Sequence, residues 1–171
     1  MMGTIDTLEV WQRGPVDGVP PLLQPVAHAL LQAGEEVSRY TMNYPNIHLW
    51  KRPAKVASVG FHLLHLKGVL DRLFTYARGE MLSTEQLKAL SAEQEIPARP
   101  LAVEDLVEAF RVQVQIAIDQ LKNTNESSLL EQRKIGRQQI PTTVLGLLFH
   151  AAEHTQRHVG QLIVTTRIQQ E

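Results

Sequence analysis

The sequence predicts an all-α fold, a four-helix bundle with an extra short helix between the second and third long helices. Two observations predict it. Apolar residues recur at helical spacing in four long segments, and no alternating run of β-branched residues is long enough to claim a strand. The first long segment opens at Leu22, after Gly14, Pro15, Gly18, Pro20 and Pro21 have broken the chain, and its stripe runs through Val26, Leu30, Ala33 and Val37. The turn cluster Asn43-Tyr44-Pro45-Asn46 closes it. Trp50, Arg52 and Pro53 lead into the second, whose stripe passes through Val59, Leu63, Leu66, Leu70, Leu73, Phe74 and Ala77 before Gly79 stops it. Ser83-Thr84-Glu85-Gln86 reads as a capping box opening the short extra helix, and Pro97 and Pro100 end that piece. The third long segment covers about Val103 to Lys122, and the polar stretch 123–128 is a loop. Pro141 suits a helix start, so the last segment is expected to run from there to about Ile168.

Composition narrows the function classes. The chain has 171 residues, 17 Lys plus Arg against 18 Asp plus Glu, no cysteine and seven histidines. That length suits one globular domain, expected over residues 1–171. A net charge of −1 offers no electrostatic case for nucleic acid, which needs a surplus of basic residues on one face. Without cysteine there is no disulfide framework, thiolate zinc site, cysteine nucleophile or thiol switch. The longest apolar run, Val144 to Phe149, is too short to span a membrane, and Met1 to Val10 lacks the basic-then-apolar pattern of a secretory signal. A cytoplasmic location is expected.

Histidine is the surplus that calls for chemistry. His150, His154 and His158 recur every four residues in the last segment, so each step returns to one side with a drift of about 40°. His62 and His65 stand about 60° apart on the second. Such spacing lets imidazoles converge on one cation, whereas His28 and His48 read as ordinary surface or hydrogen-bonded residues. Measured from the apolar stripe, His158 and His154 fall at the border of the core and His150 faces outward. On the second helix, His62 falls closer to the core than His65. Of two rival metal readings, one fails on the letters and the other is weakly supported. A ferritin-like di-iron centre needs Glu-x-x-His pairs, and none is present. His150-Ala151-Ala152-Glu153-His154 matches the H-x-x-E-H of inverted zinc peptidases, but only Glu171 follows as a downstream acidic ligand. No nucleophile elbow, P-loop or dinucleotide fingerprint occurs.

Two stretches carry a family resemblance. Ser58-Val59-Gly60-Phe61-His62-Leu63-Leu64-His65-Leu66-Lys67-Gly68 and His154-Thr155-Gln156-Arg157-His158-Val159-Gly160-Gln161 resemble the DinB-like superfamily of metal-binding four-helix bundles, relatives of bacterial thiol-dependent transferases. The resemblance extends in weaker form over nearly the whole chain, including Gly136 to Pro141. It implies one histidine of the second helix and two of the last as ligands to a divalent metal, zinc or nickel. Carried over, these are His65, His154 and His158, with His62 as the fallback because periodicity alone favours it. The resemblance further implies transfer of a low-molecular-weight thiol to a small electrophile, or metal-dependent hydrolysis, in stress response or detoxification, by a homodimer. The alternative is a non-catalytic metal-binding stress or interaction protein of the same fold. Gln161 and Glu153 are candidate helpers of the centre, the first donating to a bound ligand and the second orienting an imidazole. Arg72 and Arg157 read as surface or salt-bridge residues.

Overall fold

The computed structural model describes residues 8–170; the first seven residues, and Glu171 with its place in the peptidase pattern, lie outside them. Among the described residues, five α-helices, several short 3₁₀ turns and one small hairpin make the fold. The long helices are α1 (Gln24–Tyr40), α2 (Val59–Ala77), α4 (Val103–Lys122) and α5 (Val144–Gln170), with the short α3 (Thr84–Ala92) between α2 and α4. The expected all-α bundle with one extra helix is what the chain forms.

Each long helix follows its apolar period. α1 buries Val26, Ala27, Leu30, Ala33 and Val37, and its start is tightened by a 3₁₀ turn over Pro21–Leu23. α2 is central: fourteen of its 19 residues are buried. Its first turn is capped by the Ser58 hydroxyl, which accepts from the Phe61 amide at 3.2 Å. Gly60 lets the helix pass against Trp50, since a Cβ there would lie 2.5 Å from the indole ring. α2 packs against α4 and α5, and α1 closes the square by packing against the same two helices. The core between them holds Leu30, Leu63, Leu66, Leu70, Phe74, Phe110 and Leu148, all essentially inaccessible. No helix among the described residues is long and apolar enough to cross a membrane.

Two expectations need correction. The segment before the last helix contains strands β1 (Gln132–Ile135) and β2 (Ile140–Thr143), paired antiparallel, where none was expected. Four residues are too few to show a two-residue period, and the reversal depends on backbone conformation: Gly136 and Gln139 sit at φ 64° and 53°. Pro141 is therefore a strand residue opposite Lys134, and α5 begins at Val144. A ribbon of two strands consists of edges only, where a residue without an N–H is tolerated.

Candidate metal centre

The histidines of α2 and α5 meet because these two helices lie against each other. His65 Nε2 is 2.9 Å from His154 Nε2, and the His158 ring centroid stands 4.3 Å from that of His65 and 4.6 Å from that of His154. One ligand atom from each of His65, His154 and His158 lies within 4.8 Å of the others, a spacing compatible with a shared metal ion. His62 is deeper, 2% exposed, as its place near the apolar stripe implied. It stands outside this group of three, with its Nδ1 3.1 Å from Nδ1 of His158.

The protonation of the group follows from its neighbours. Glu93, the residue that ends α3, is buried and places one carboxylate oxygen 2.8 Å from His65 Nδ1 and the other 2.5 Å from the Arg72 guanidinium. Burial pushes the Glu93 carboxyl up, but the hydrogen bonds from His65 and Arg72 outweigh it and hold the group below the usual carboxylate range. An ionised carboxylate only accepts, so His65 Nδ1 carries the proton and the lone pair of Nε2 faces His154. Burial, reinforced by repulsion from neighbouring histidines, lowers His158 to about 3 and His62 to about 4. His154 is lowered in the same way, burial first. These three are uncharged imidazoles at neutral pH, the form that ligates metals. His154 Nδ1 is buried with no hydrogen-bond partner, so its orientation is held by the helix and by the facing rings. The Phe61 ring stacks on His65 at 5.4 Å and 12°, shielding one side of the cluster.

A second group, His150, Glu153 and His154, also brings ligand atoms within 4.8 Å of one another. It is the weaker candidate. His150 and Glu153 are 47% and 34% exposed, and Glu153 already accepts from Arg157 at 2.7 Å and pairs with His150 at 2.7 Å. Glu153 thus orients His150, not one of the three converging histidines. Gln161 is exposed one turn beyond. Arg72 and Arg157 are salt-bridge residues, the first of them buried.

Glu93 escaped the sequence reading. It follows the last turn of a short amphipathic helix, 28 residues from His65, and no spacing rule ties it to either partner. A faint signal is Gly68 on the face between His65 and Arg72: a Cβ there would lie 2.6 Å from the Arg72 guanidinium and would collide with Glu93, so the glycine makes room for the pair.

The fold and site together define a helical bundle with a histidine cluster at the α2–α5 seam, compatible with metal binding. Residues 41–162 match the family model of the DinB superfamily, and the chain belongs to that superfamily. The match begins just after α1 and takes in all the histidines of α2 and α5. No curated protein matches the chain.

Proposed function

We propose that His65, His154 and His158 hold a divalent metal ion, zinc or nickel, and that the protein transfers a low-molecular-weight thiol to a small electrophile. One observation carries the reading: three imidazoles from two helices converge, and Glu93 fixes the tautomer that turns a lone pair of His65 toward the other two. The donor set fits such an ion, since neutral nitrogen ligands leave its charge largely uncancelled. When bound, the ion supplies the positive charge that makes a thiol or a water acidic enough to react at neutral pH.

The chain's own residues set the frame for that chemistry. Glu93 keeps the His65 proton on Nδ1, and Arg72 keeps Glu93 ionised and in place. His62 engages Nδ1 of His158 and so restrains that ring. Phe61 limits access of water on the His65 side. With no cysteine in the chain, the thiol enters as a cosubstrate.

Elemental analysis of protein purified without added metal tests the centre; stoichiometric zinc or nickel is expected, and full occupancy in His65→Ala overturns the His65 assignment. The loaded protein is then assayed with a panel of small thiols and monochlorobimane. Turnover abolished in His158→Ala supports transfer. Absence of turnover with every thiol, metal still bound, favours a non-catalytic metal-binding role.

A further inference from the structure

Beside His62 lies a cavity of about 490 Å³, between the C-terminal half of α5 and the 53–57 loop that leads into α2. Val56, Val164 and Ile168 line it, apolar side chains that are 47%, 57% and 50% exposed. Its inner wall includes His62, almost inaccessible itself, whose Nδ1 is 3.1 Å from that of His158. Arg157 stands in the wall too, but its charge is met by Glu153 at 2.7 Å, so the cavity presents no uncompensated charge.

The loop forming the opposite wall is held in an unfavourable conformation. Ala54 and Lys55, neither of them glycine, sit consecutively at φ 48° and 65°. Arg52 holds the loop there by donating to the carbonyls of Lys55 and Val56 at 3.4 and 3.3 Å. Strain of this kind gathers at ligand-binding sites, where the conformation serves something other than stability.

We propose that this cavity binds the uncharged apolar part of a small organic molecule, an aryl or short alkyl group. Its volume falls within the roughly 300–1,000 Å³ of small-molecule sites, and its lining pairs apolar walls with a few polar groups. A second protein is the poorer occupant. Stable interfaces bury about 800 Å² per partner, whereas the three exposed apolar side chains here line a cavity of about 490 Å³ that also takes in the almost inaccessible His62. The inference goes beyond the metal reading, because an apolar group binds here with or without an ion. Should both hold, the cavity puts the apolar end of a substrate one imidazole away from His158.

The test is a fluorescence titration of full-length, chelator-treated protein with N-phenyl-1-naphthylamine, a neutral probe that brightens on leaving water. Saturable binding is expected. Gly160→Leu fills the cavity, and the helix accepts it, since no atom lies within 4 Å of the added Cβ. Val164→Gln makes one wall polar. Both should weaken the probe at least about tenfold with unchanged circular dichroism, while Leu90→Gln, on α3, leaves binding intact. Non-saturable binding, or affinity in either cavity variant equal to the parent's, overturns the proposal. So does a dimer that becomes monomeric in Gly160→Leu by sedimentation, which makes this face a contact between copies. Because the titration is metal-free, its failure leaves the metal reading standing, and failure of the metal reading leaves this one standing.

Discussion

Glu93 divides its carboxylate between His65 and Arg72, and that division ties the orientation of a candidate ligand to a buried ion pair. Glu93→Gln keeps the shape and removes the charge. Two consequences are expected. Loss of a carboxylate partner to a ligating histidine lowers metal affinity roughly 10- to 100-fold, measurable by zinc titration. The buried Arg72 is left uncompensated, which costs about 3–5 kcal/mol in urea unfolding. Replacing both, as Glu93→Gln with Arg72→Met, should recover much of the stability but not the metal affinity, and that split separates orientation of His65 from simple loss of fold. Equal zinc affinity in Glu93→Gln and the parent would overturn the orienting role. At this scale the sequence is readable only where spacing carries information. His154 and His158 follow from their four-residue interval on one helix, and His65 from its resemblance to a family element. Periodicity alone pointed to His62, because depth in the core and convergence on a neighbouring helix are different requirements. Glu93 is brought in by the path of the chain after α3, which no local pattern encodes.

Among the five α-helices, α3 is the one held most lightly. It buries none of its own residues and leaves Leu87 and Leu90 44% and 43% exposed, while the glutamate that ends it is buried against α2. Its capping box, Ser83 with Gln86, was legible because the motif is local, as were the four long helices, whose period repeats over many residues. The hairpin 132–143 was not, because its strands are too short to repeat anything and its turn depends on left-handed residues that need not be glycine. The α2–α3 seam gives the prediction proper to this scale. Gly68→Ala inserts a methyl where Glu93 and Arg72 meet, so the carboxylate must move and α3 must shift with it. A destabilisation of about 1–3 kcal/mol is expected from overpacking. Zinc should also bind more weakly, although no histidine has changed. Proteolysis within 84–100 should quicken by comparison with the parent. Unaltered zinc affinity and unaltered cleavage would show that α3 has no part in holding the centre.

Across the whole molecule, the histidine cluster makes stability depend on pH in a direction that can be worked out. His62 and His158 have ordinary values near 6.5 in the unfolded chain and are lowered to about 4 and about 3 in the folded one, by burial and then by the neighbouring histidines. His154 is shifted the same way. Between those limits the unfolded chain binds more protons than the folded chain, so stability must rise with pH. Read downward, it is full above about 6.5 and is lost as the pH falls toward 4 for His62 and toward 3 for His158. The depressed Glu93 carboxyl works in the same sense but lower: its contribution is present above its unfolded value of 4.5 and lost as the pH falls through its folded value. The metal-free protein should therefore show a urea midpoint that declines steadily from pH 6.5 to 4.5, and His62→Leu should make that decline shallower, while the portions from His158 and His154, and that of Glu93 below pH 4.5, stay in place. Zinc should raise the midpoint at pH 7, by about 2.7 kcal/mol when present at a hundred times its dissociation constant. It should lose that effect on acidification, because protons and metal compete for the same imidazole nitrogens. A midpoint independent of pH between 6.5 and 4.5 in the metal-free protein would show that the histidines are not held uncharged by the fold. A zinc effect that persisted at pH 4.5 would show that the ion is bound by something other than imidazole.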